Sequence, residues 1–138
     1  LVLVGSTILK IPSHPDIFYL GFLSEEDKFD GLDGALLLVM PSFFESLSMV
    51  TLEAWALKKP VLANAQCEVL KGQCLRSNGG LFYSNYEEFH EALKLLLHSP
   101  ELRQALGERG QRYFKENYTW EVIENKYLSI LHQLEGAK

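Results

Sequence analysis

Short apolar runs alternate along this chain with segments whose apolar residues recur at helical spacing. The runs that predict β-strands are Leu1–Val4, Ile17–Leu20, Ala35–Met40, Val61–Asn64 and residues 79–84. The run Ala35–Met40 is apolar throughout and fits a strand buried on both faces. The helical segments run from the N-cap Ser24 to about Leu32, from about Ser48 to Lys58, over Tyr86–Leu97, from Pro100 to about Glu116, and onward from the N-cap Thr119. This alternation predicts an α/β fold, a Rossmann-like three-layer domain whose mostly parallel sheet carries helices on both faces.

Composition and charge limit the classes of function. The 138 residues fit one domain, residues 1–138, with 47% hydrophobic and 22% charged residues, which is close to the average for globular proteins. The net charge of −5 argues against a nucleic-acid or anionic-membrane surface, because both favour basic patches. No apolar run reaches the roughly 18 residues that a membrane span needs.

The two cysteines, Cys67 and Cys74, lack the companions of a zinc site or of a disulfide framework. We expect them to be reduced, in a cytoplasmic protein, with a bridge between them as the less favoured alternative. The chain opens inside a strand pattern without an initiator Met, and we expect it to be a piece of a longer protein.

The segment Pro41–Val61, "PSFFESLSMVTLEAWALKKPV", places two carboxylates at and inside an apolar helix. The helix follows a buried strand directly, so its N-terminus lies at the carboxyl edge of the sheet, where open α/β sheets bind ligands. Glu45 and Glu53 are eight positions apart, which in a helix means about 80° of rotation and about 12 Å of rise. We therefore expect both carboxylates to face the same side.

The chemistry of this segment suits a nucleotide-sugar. Free N–H groups near Ser46, Leu47 and Ser48 favour an anion such as a diphosphate, and carboxylates accept paired hydrogen bonds from the vicinal hydroxyls of a ribose or a hexose. The spacing alone leaves a plainer alternative open. In that alternative Glu45 complements the helix dipole, and Glu53 reaches the surface or pairs with a lysine.

The longer segment "PSFFESLSMVTLEAWALKKPVLAN" resembles the E-x7-E signature of the group 1 retaining glycosyltransferases with the GT-B fold. The positions that match are Pro41, Ser42, Glu45, Leu52, Glu53, Ala54, Ala56, Pro60 and Val61. The flanking segments "FYLGFLSEEDKFDGLDGALLLVMPS" and "SNGGLFY" also resemble the family, so the likeness covers about residues 1–135. The resemblance implies that this chain is the C-terminal, donor-binding half of a GT-B fold.

The resemblance also implies roles for individual residues. Glu45 would be the catalytic residue, in contact with the donor sugar or its phosphate side, and Glu53 would hold the ribose hydroxyls. The sugar and diphosphate would face Ser46, Leu47, Ser48 and Met49. The base would be bordered by Gly21, Phe22 and Leu23. The donor would be a UDP-, GDP- or ADP-sugar, with no cofactor and no metal in the site.

Several positions depart from the family pattern or have no role assigned by it. The family often has Gly where Ser46 and Ser48 stand, and often at Lys59. The stretch "CEVLKGQCLRSNGG" resembles a loop found in a subgroup, from which Lys71 or Arg76 would reach a phosphate or the acceptor; surface charge explains both residues equally well. Gly79 and Gly80 are read as structural, in a tight turn that needs positive φ.

The family has two parts that this chain does not show. One further strand with a Gly-Arg…Lys-Gly loop, and an N-terminal acceptor domain, are expected ahead of Leu1. The loop's basic residues neutralise the leaving diphosphate, so we expect the chain alone to be inactive. Membrane association, if any, would come through the N-terminal domain.

Three other classes of protein share this alternation of strands and helices or parts of this motif. A phospho-receiver domain needs acidic residues after the first strand and an Asp after the third, where this chain has "GST" and "PSF". A GT-B nucleotide-sugar epimerase is disfavoured by the Pro-Ser…E-x7-E arrangement. A non-catalytic nucleotide- or partner-binding module from a degenerate transferase stays open. The preferred function is a hexosyltransferase-type glycosyltransferase, with polysaccharide biosynthesis the commonest setting and the base, sugar and acceptor unassigned.

Overall fold

The computed structural model describes residues 1–136, in which strands and helices alternate as the sequence pattern predicts. The elements are β1 Val2–Val4, β2 Phe18–Gly21, α1 Glu25–Gly34, β3 Leu38–Met40, α2 Met49–Ala56, β4 Val61–Asn64, α3 Glu68–Ser77, β5 Gly80–Tyr83, α4 Tyr86–His98, α5 Pro100–Asn117 and α6 Trp120–Gly136. No helix in this range combines the length and the apolarity that crossing a membrane requires.

Every strand pairing in residues 1–136 is parallel, but the strands form two separate groups. β1 pairs with β2, and β4 lies between β3 and β5. Along β4 the side chains alternate: Val61 and Ala63 join a core with Trp55 of α2, whereas Leu62 joins a second core with Leu96 of α4. Helices therefore cover both faces of the β3–β4–β5 group, and the predicted three-layer α/β arrangement is confirmed.

The run Ala35–Met40 is less regular than predicted. Only its last three residues form β3, and Leu36 is exposed, so the prediction of a strand buried on both faces is wrong for its first half. The cause is the end of α1: Ala35 is its C-cap and donates its backbone N–H to the carbonyl of Leu32 at 3.2 Å. The residues between Ala35 and Leu38 therefore connect the end of α1 to β3 and are not part of the strand.

The stretch read as a subgroup loop is instead the helix α3. Its buried residues are Leu70, Gln73, Cys74 and Ser77, a helical spacing that the sequence conceals because two of the four side chains are polar. Cys67 and Cys74 are both buried and free, as predicted. Burial raises the pKa of the Cys74 thiol to about 12, so this thiol stays protonated near neutral pH.

The contact between α2 and α5 depends on glycine. Trp55 is fully buried and donates its indole N–H to the carbonyl of Gly79 at 2.8 Å. A Cβ at Gly110 would lie 2.2 Å from Cδ1 of Trp55, and one at Gly80 would lie 2.2 Å from the carbonyl of Val61. Gly79 and Gly80 are thus structural, as predicted, but for close packing rather than positive φ, which occurs one residue earlier at Asn78 (φ 50°).

Candidate functional site

The carboxyl ends of β3 and β4 meet at one edge of the sheet, where a buried asparagine joins the loops that follow them. Asn64 ends β4, donates its side-chain amide to the carbonyl of Pro41 at 3.2 Å, and accepts the backbone N–H of Gln66 at 3.0 Å. Asn64 is not part of the motif that predicted the site, although a polar residue that ends an apolar strand is a signal for one. Asn64 fixes the loop that carries Glu45.

Glu45 lies in this loop and not in the helix. It is half buried, and its carboxylate makes no hydrogen bond to any residue of the described range. α2 begins at Met49, so Glu45 stands four positions before it and Glu53 four positions after its first residue. The predicted placement of Glu45 ahead of the helix is confirmed, but the rotation and rise of a continuous helix do not apply between Glu45 and Glu53, because the loop separates them.

Ser48, the residue before α2, has a left-handed backbone. Its φ is 61° and its ψ is 79°, it is buried, and its hydroxyl lies 2.9 Å from the hydroxyl of Thr51. A left-handed backbone costs a non-glycine residue about 1–2 kcal/mol, and such strain concentrates at functional sites. A glycine, which the family resembled by this motif often has at this position, would remove the strain.

The start of α2 presents backbone donors. The N–H groups of Thr51 and Leu52 both donate to the carbonyl of Ser48, at 3.1 and 3.4 Å. The N–H groups of Met49 and Val50 precede them in the first turn and have no intrahelical acceptor. This end of an eight-residue helix thus offers free N–H groups and the positive end of the helix dipole.

Gln73 of α3 forms a hydrogen bond with the loop that precedes α2. Only 1% of this residue is exposed, and its side-chain amide donates to the carbonyl of Leu47 at 2.5 Å. Its Oε1 is the one buried side-chain oxygen or nitrogen in the described part of the chain that has no hydrogen-bond partner. Buried acceptors are nearly always satisfied, so this oxygen is an exception within the described residues.

Glu53 is held by a lysine from another helix. Nζ of Lys28 in α1 lies 3.0 Å from Oε1 of Glu53 and 2.8 Å from Oε2 of Glu25, and 18% of the Glu53 side chain is exposed. The hydrogen bond to Glu25 raises the pKa of Lys28, burial opposes it, and Glu53 adds to the rise. Oε2 of Glu53 accepts no hydrogen bond within residues 1–136, so the carboxylate is fixed by one oxygen and presents the other.

The lysine pair of the plainer alternative is therefore present, but it satisfies only one of the two carboxylate oxygens. Sequence reasoning did not name Lys28, because the contact joins two helices that are 25 positions apart in sequence. The local sequence feature that bears on the position of Lys28 is the N-cap Ser24, whose hydroxyl accepts the N–H of Asp27 at 3.1 Å. That cap fixes the start of α1 and places Lys28 in its first turn.

The segment predicted to border the base lies at the carboxyl end of β2. Gly21 has φ 67°, Phe22 is exposed and Leu23 is half buried. Ser24 follows, and with it α1 and Lys28. This segment therefore leads directly into α1, whose Lys28 contacts Glu53.

Arg76 is not at this edge. It occupies the last turn of α3, which runs from the carboxyl end of β4 back to the start of β5. Ten helical residues span about 15 Å, so Arg76 lies toward the amino edge of the sheet. It does not fit the suggested contact to a phosphate or acceptor at the donor site.

Two comparisons of sequence identify relatives. Residues 7–113 match the profile of the family described as "Glycosyl transferases group 1". The chain is 31% identical over 101 residues to Glycosyltransferase 1 domain-containing protein 1 of Xenopus tropicalis, a match that covers 71% of this chain and 28% of that protein.

Solved structures show the same fold. Sucrose-phosphate synthase from Thermosynechococcus elongatus matches with a TM-score of 0.76 and 24% identity, over 88% of this chain and 31% of that one. WaaG, a glycosyltransferase involved in lipopolysaccharide biosynthesis, matches with a TM-score of 0.66 and 23% identity, over 80% of this chain and 30% of that one. The chain thus spans less than a third of the length of each relative. Its fold is the parallel-sheet, Rossmann-like fold of the GT-B enzymes, and the profile match shows that the chain belongs to the group 1 glycosyltransferases.

Proposed function

We propose that this chain is the C-terminal, donor-binding half of a GT-B glycosyltransferase. The whole enzyme would transfer a hexose from a nucleotide-diphosphate sugar to an acceptor hydroxyl with retention of configuration. One observation carries the proposal: the free oxygen of Glu53 and the free N–H groups at the start of α2 belong to one short helix, separated by four residues or about 6 Å of rise. A ribose diol joined to a diphosphate satisfies both.

Each group at the carboxyl edge takes a part in this proposal. Glu53 accepts hydrogen bonds from the ribose hydroxyls through Oε2 while Lys28 holds Oε1. The backbone from Leu47 to Met49 faces the diphosphate and the sugar, where donors fixed before the reaction stabilise developing negative charge. Glu45, whose carboxylate is free in the described chain, contacts the sugar, and Gly21–Leu23 border the base.

The grouping of the strands supports the proposal that a further strand completes this domain. Doubly wound sheets of the Rossmann type have the strand order 3-2-1-4-5-6. The groups β2–β1 and β3–β4–β5 correspond to 3-2 and 4-5-6, so the strand that is numbered 1 would lie between β1 and β3. We propose that this strand carries the basic loop, and that an N-terminal domain supplies the acceptor.

The fragment alone would then bind donor but not turn it over. Assays of donor hydrolysis and sugar transfer by the full-length protein and by this chain, side by side, test the point. We expect turnover only from the full-length protein; comparable turnover by the fragment would contradict this part of the proposal.

The test of donor binding is a saturation-transfer NMR panel of UDP, GDP and ADP against this chain and its Glu53→Gln variant. We expect one diphosphate to bind the wild type with strongly saturated ribose protons, and the variant to lose that signal while it remains folded. Glu124→Gln, which changes an exposed carboxylate on α6, is the matched control and should bind as the wild type does. If every nucleotide gives equal signals with Glu53→Gln and with the wild type, Glu53 does not hold the ribose.

The ion pair of Glu53 favours a second candidate, a degenerate half that binds a nucleotide or a protein partner without turnover. In that case the Lys28–Glu53 contact is purely structural. An active full-length protein that loses activity with Glu53→Gln excludes this candidate. An inactive full-length protein that lacks the basic loop favours it.

A further inference from the structure

A second concave site lies at the amino edge of the sheet, where the end of α3 meets the middle of α5. Its volume is about 290 Å³, and its lining includes Arg76, Asn78, Arg109, Arg112, Tyr113 and Glu116. α3 separates this site from the carboxyl edge by about 15 Å, the length of ten helical residues. The site is therefore separate from Glu45 and Glu53, and binding there is independent of the proposed function.

Three guanidinium groups line this concavity, and the lining includes one carboxylate to balance their positive charge. Arg109 and Arg112 are exposed, and neither they nor Arg76 forms a salt bridge among the described residues. Glu116 is the one carboxylate of the lining, and it too has no salt bridge in that range. Three cations gathered around one hollow repel one another unless an anion joins them, and they do so here in a chain whose net charge is −5.

Arg76 is exposed, but its side chain is held by a contact to α5. Nε of Arg76 donates to the hydroxyl of Tyr113 at 3.2 Å, and a Cβ at Gly72 would lie 3.0 Å from Nη1 of Arg76. The ring of Tyr113 in turn packs edge-on against the buried Trp55, with ring centroids 5.7 Å apart. Arg76 thus uses Nε for an internal contact, and its terminal NH₂ groups donate to no residue of the described chain.

Phosphate is the anion that this donor set fits best. A guanidinium presents its N–H groups as a planar fork that matches two oxygens of a phosphate, and several such forks can share one phosphate group. The volume of about 290 Å³ is just below the range of ligand pockets, which begins near 300 Å³. It suits a phosphate with a small substituent better than a nucleotide-sugar.

We propose that Arg76, Arg109 and Arg112 form a binding site for the phosphate group of a small phosphorylated molecule. The phosphate is held between the exposed guanidiniums of α5 and the fixed guanidinium of Arg76. Asn78, in the left-handed turn between α3 and β5, borders it with a side-chain amide.

Amide chemical-shift titrations test this site. The probes are inorganic phosphate and glycerol 3-phosphate, added at constant ionic strength maintained with chloride. Wild-type chain is compared with the double variant Arg109→Gln/Arg112→Gln, which changes two exposed side chains. Lys115→Gln, on the same helix but outside the lining, is the matched control.

We expect both probes to shift the amides of residues 76–78 and 109–113, and the double variant to raise the Kd by about tenfold or more, since hydrogen bonds to charged groups are the strong ones. The control should bind as the wild type does. Tighter binding of glycerol 3-phosphate assigns the site to a phosphomonoester, and equal binding assigns it to the phosphate group alone.

The proposal is overturned if chloride alone reproduces the shifts, if those amides do not move, or if the double variant keeps the wild-type Kd. Shifts confined to α1 and the start of α2 would report binding at the donor site instead. Failure here is therefore distinguishable from failure of the proposed function.

Discussion

The two sides of α2 differ in what they contribute to the molecule. On one side Leu52, Ala54 and Trp55 are buried in the core against α5 and the sheet. On the other side Glu53 reaches Lys28 of α1 and keeps one oxygen free. Successive helical residues are rotated by about 100°, so a single helix of eight residues places core packing and ligand chemistry next to each other in sequence. An apolar helix can thus keep a carboxylate without burying it completely.

This contrast predicts that substitutions on the two sides of α2 affect different properties of the protein. Substitutions on the buried side should lower the free energy of unfolding, whereas substitutions at Glu53 and Lys28 should change ligand binding with little loss of stability.

Trp55→Ala should lower the free energy of unfolding by about 3–5 kcal/mol, the usual cost of removing a large buried aromatic side chain. The variant leaves a cavity against Gly110 and removes the donor to the carbonyl of Gly79. Urea denaturation followed by circular dichroism measures the change. The matched control is Trp120→Ala, because Trp120 is 80% exposed, and it should change stability by less than about 0.5 kcal/mol. Similar losses in both variants would contradict the account of the core.

Stability should fall as the pH rises above 9, in part because of Cys74. Burial raises the pKa of its thiol from 9.0 to about 12, so between these values the unfolded chain loses a proton that the folded chain keeps. The unfolded state is then favoured, by about 1 kcal/mol between pH 9 and 10 for one such group.

Cys74→Ala should flatten this pH dependence in denaturation curves measured at pH 7, 9 and 10. Ala removes the thiol, so the comparison concerns the slope with pH and not the stability at pH 7. An unchanged slope would show that Cys74 ionises in the folded state.

Lys28→Met should weaken binding of the preferred nucleoside diphosphate by up to about tenfold, as expected for loss of one partly exposed ion pair. Met preserves the length of the stem and removes the ammonium that fixes Oε1 of Glu53. Isothermal titration calorimetry measures the Kd, and Lys126→Met, an exposed lysine on α6, is the matched control. Tighter binding by Lys28→Met would mean that the lysine competes with the ligand.

Both ends of α2 are bounded by left-handed residues that are not glycine, Ser48 with φ 61° and Lys58 with φ 58°. Lys58→Gly should stabilise the chain by about 0.5–1 kcal/mol, because relief of strain exceeds the added entropy of the unfolded chain. Ser48→Gly should stabilise it less, because that variant also loses the hydroxyl contact with Thr51. Thermal unfolding of both variants gives the comparison, and destabilisation by Lys58→Gly would contradict it.

The sequence was sufficient for the parts of this molecule that local pattern decides. The apolar run Val61–Asn64 and the spacing in α4 and α5 predicted strand and helices closely, and the sequence around Glu45 and Glu53 indicated the family. It was insufficient where tertiary contacts decide. α3 was missed because Gln73 and Ser77 are buried polar residues, and the left-handed backbone of Lys58 had no signal in the sequence.

The site shows the same division. The motif predicted a ligand site at the carboxyl edge of the sheet and placed Glu45 ahead of the helix, which the start of α2 at Met49 confirms. The orientation of Glu45 relative to Glu53 did not follow from the spacing, because Glu45 lies in the loop. The Lys28–Glu53 contact joins separate helices, and the support of Leu47 by Gln73 joins a loop to a helix 26 positions away. Neither follows from any local periodicity.

The central claim is that Glu53 is retained for a ribose diol, and a pair of ligands tests it directly. The measurement is the Kd of the preferred nucleoside diphosphate and of its 2′-deoxy form, for the wild type and for Glu53→Gln. We predict that the wild type prefers the ribose form by about tenfold or more, as one hydrogen bond to a carboxylate allows, and that Glu53→Gln loses most of this preference. The same preference in both proteins would contradict the claim and leave Glu53 as a structural partner of Lys28.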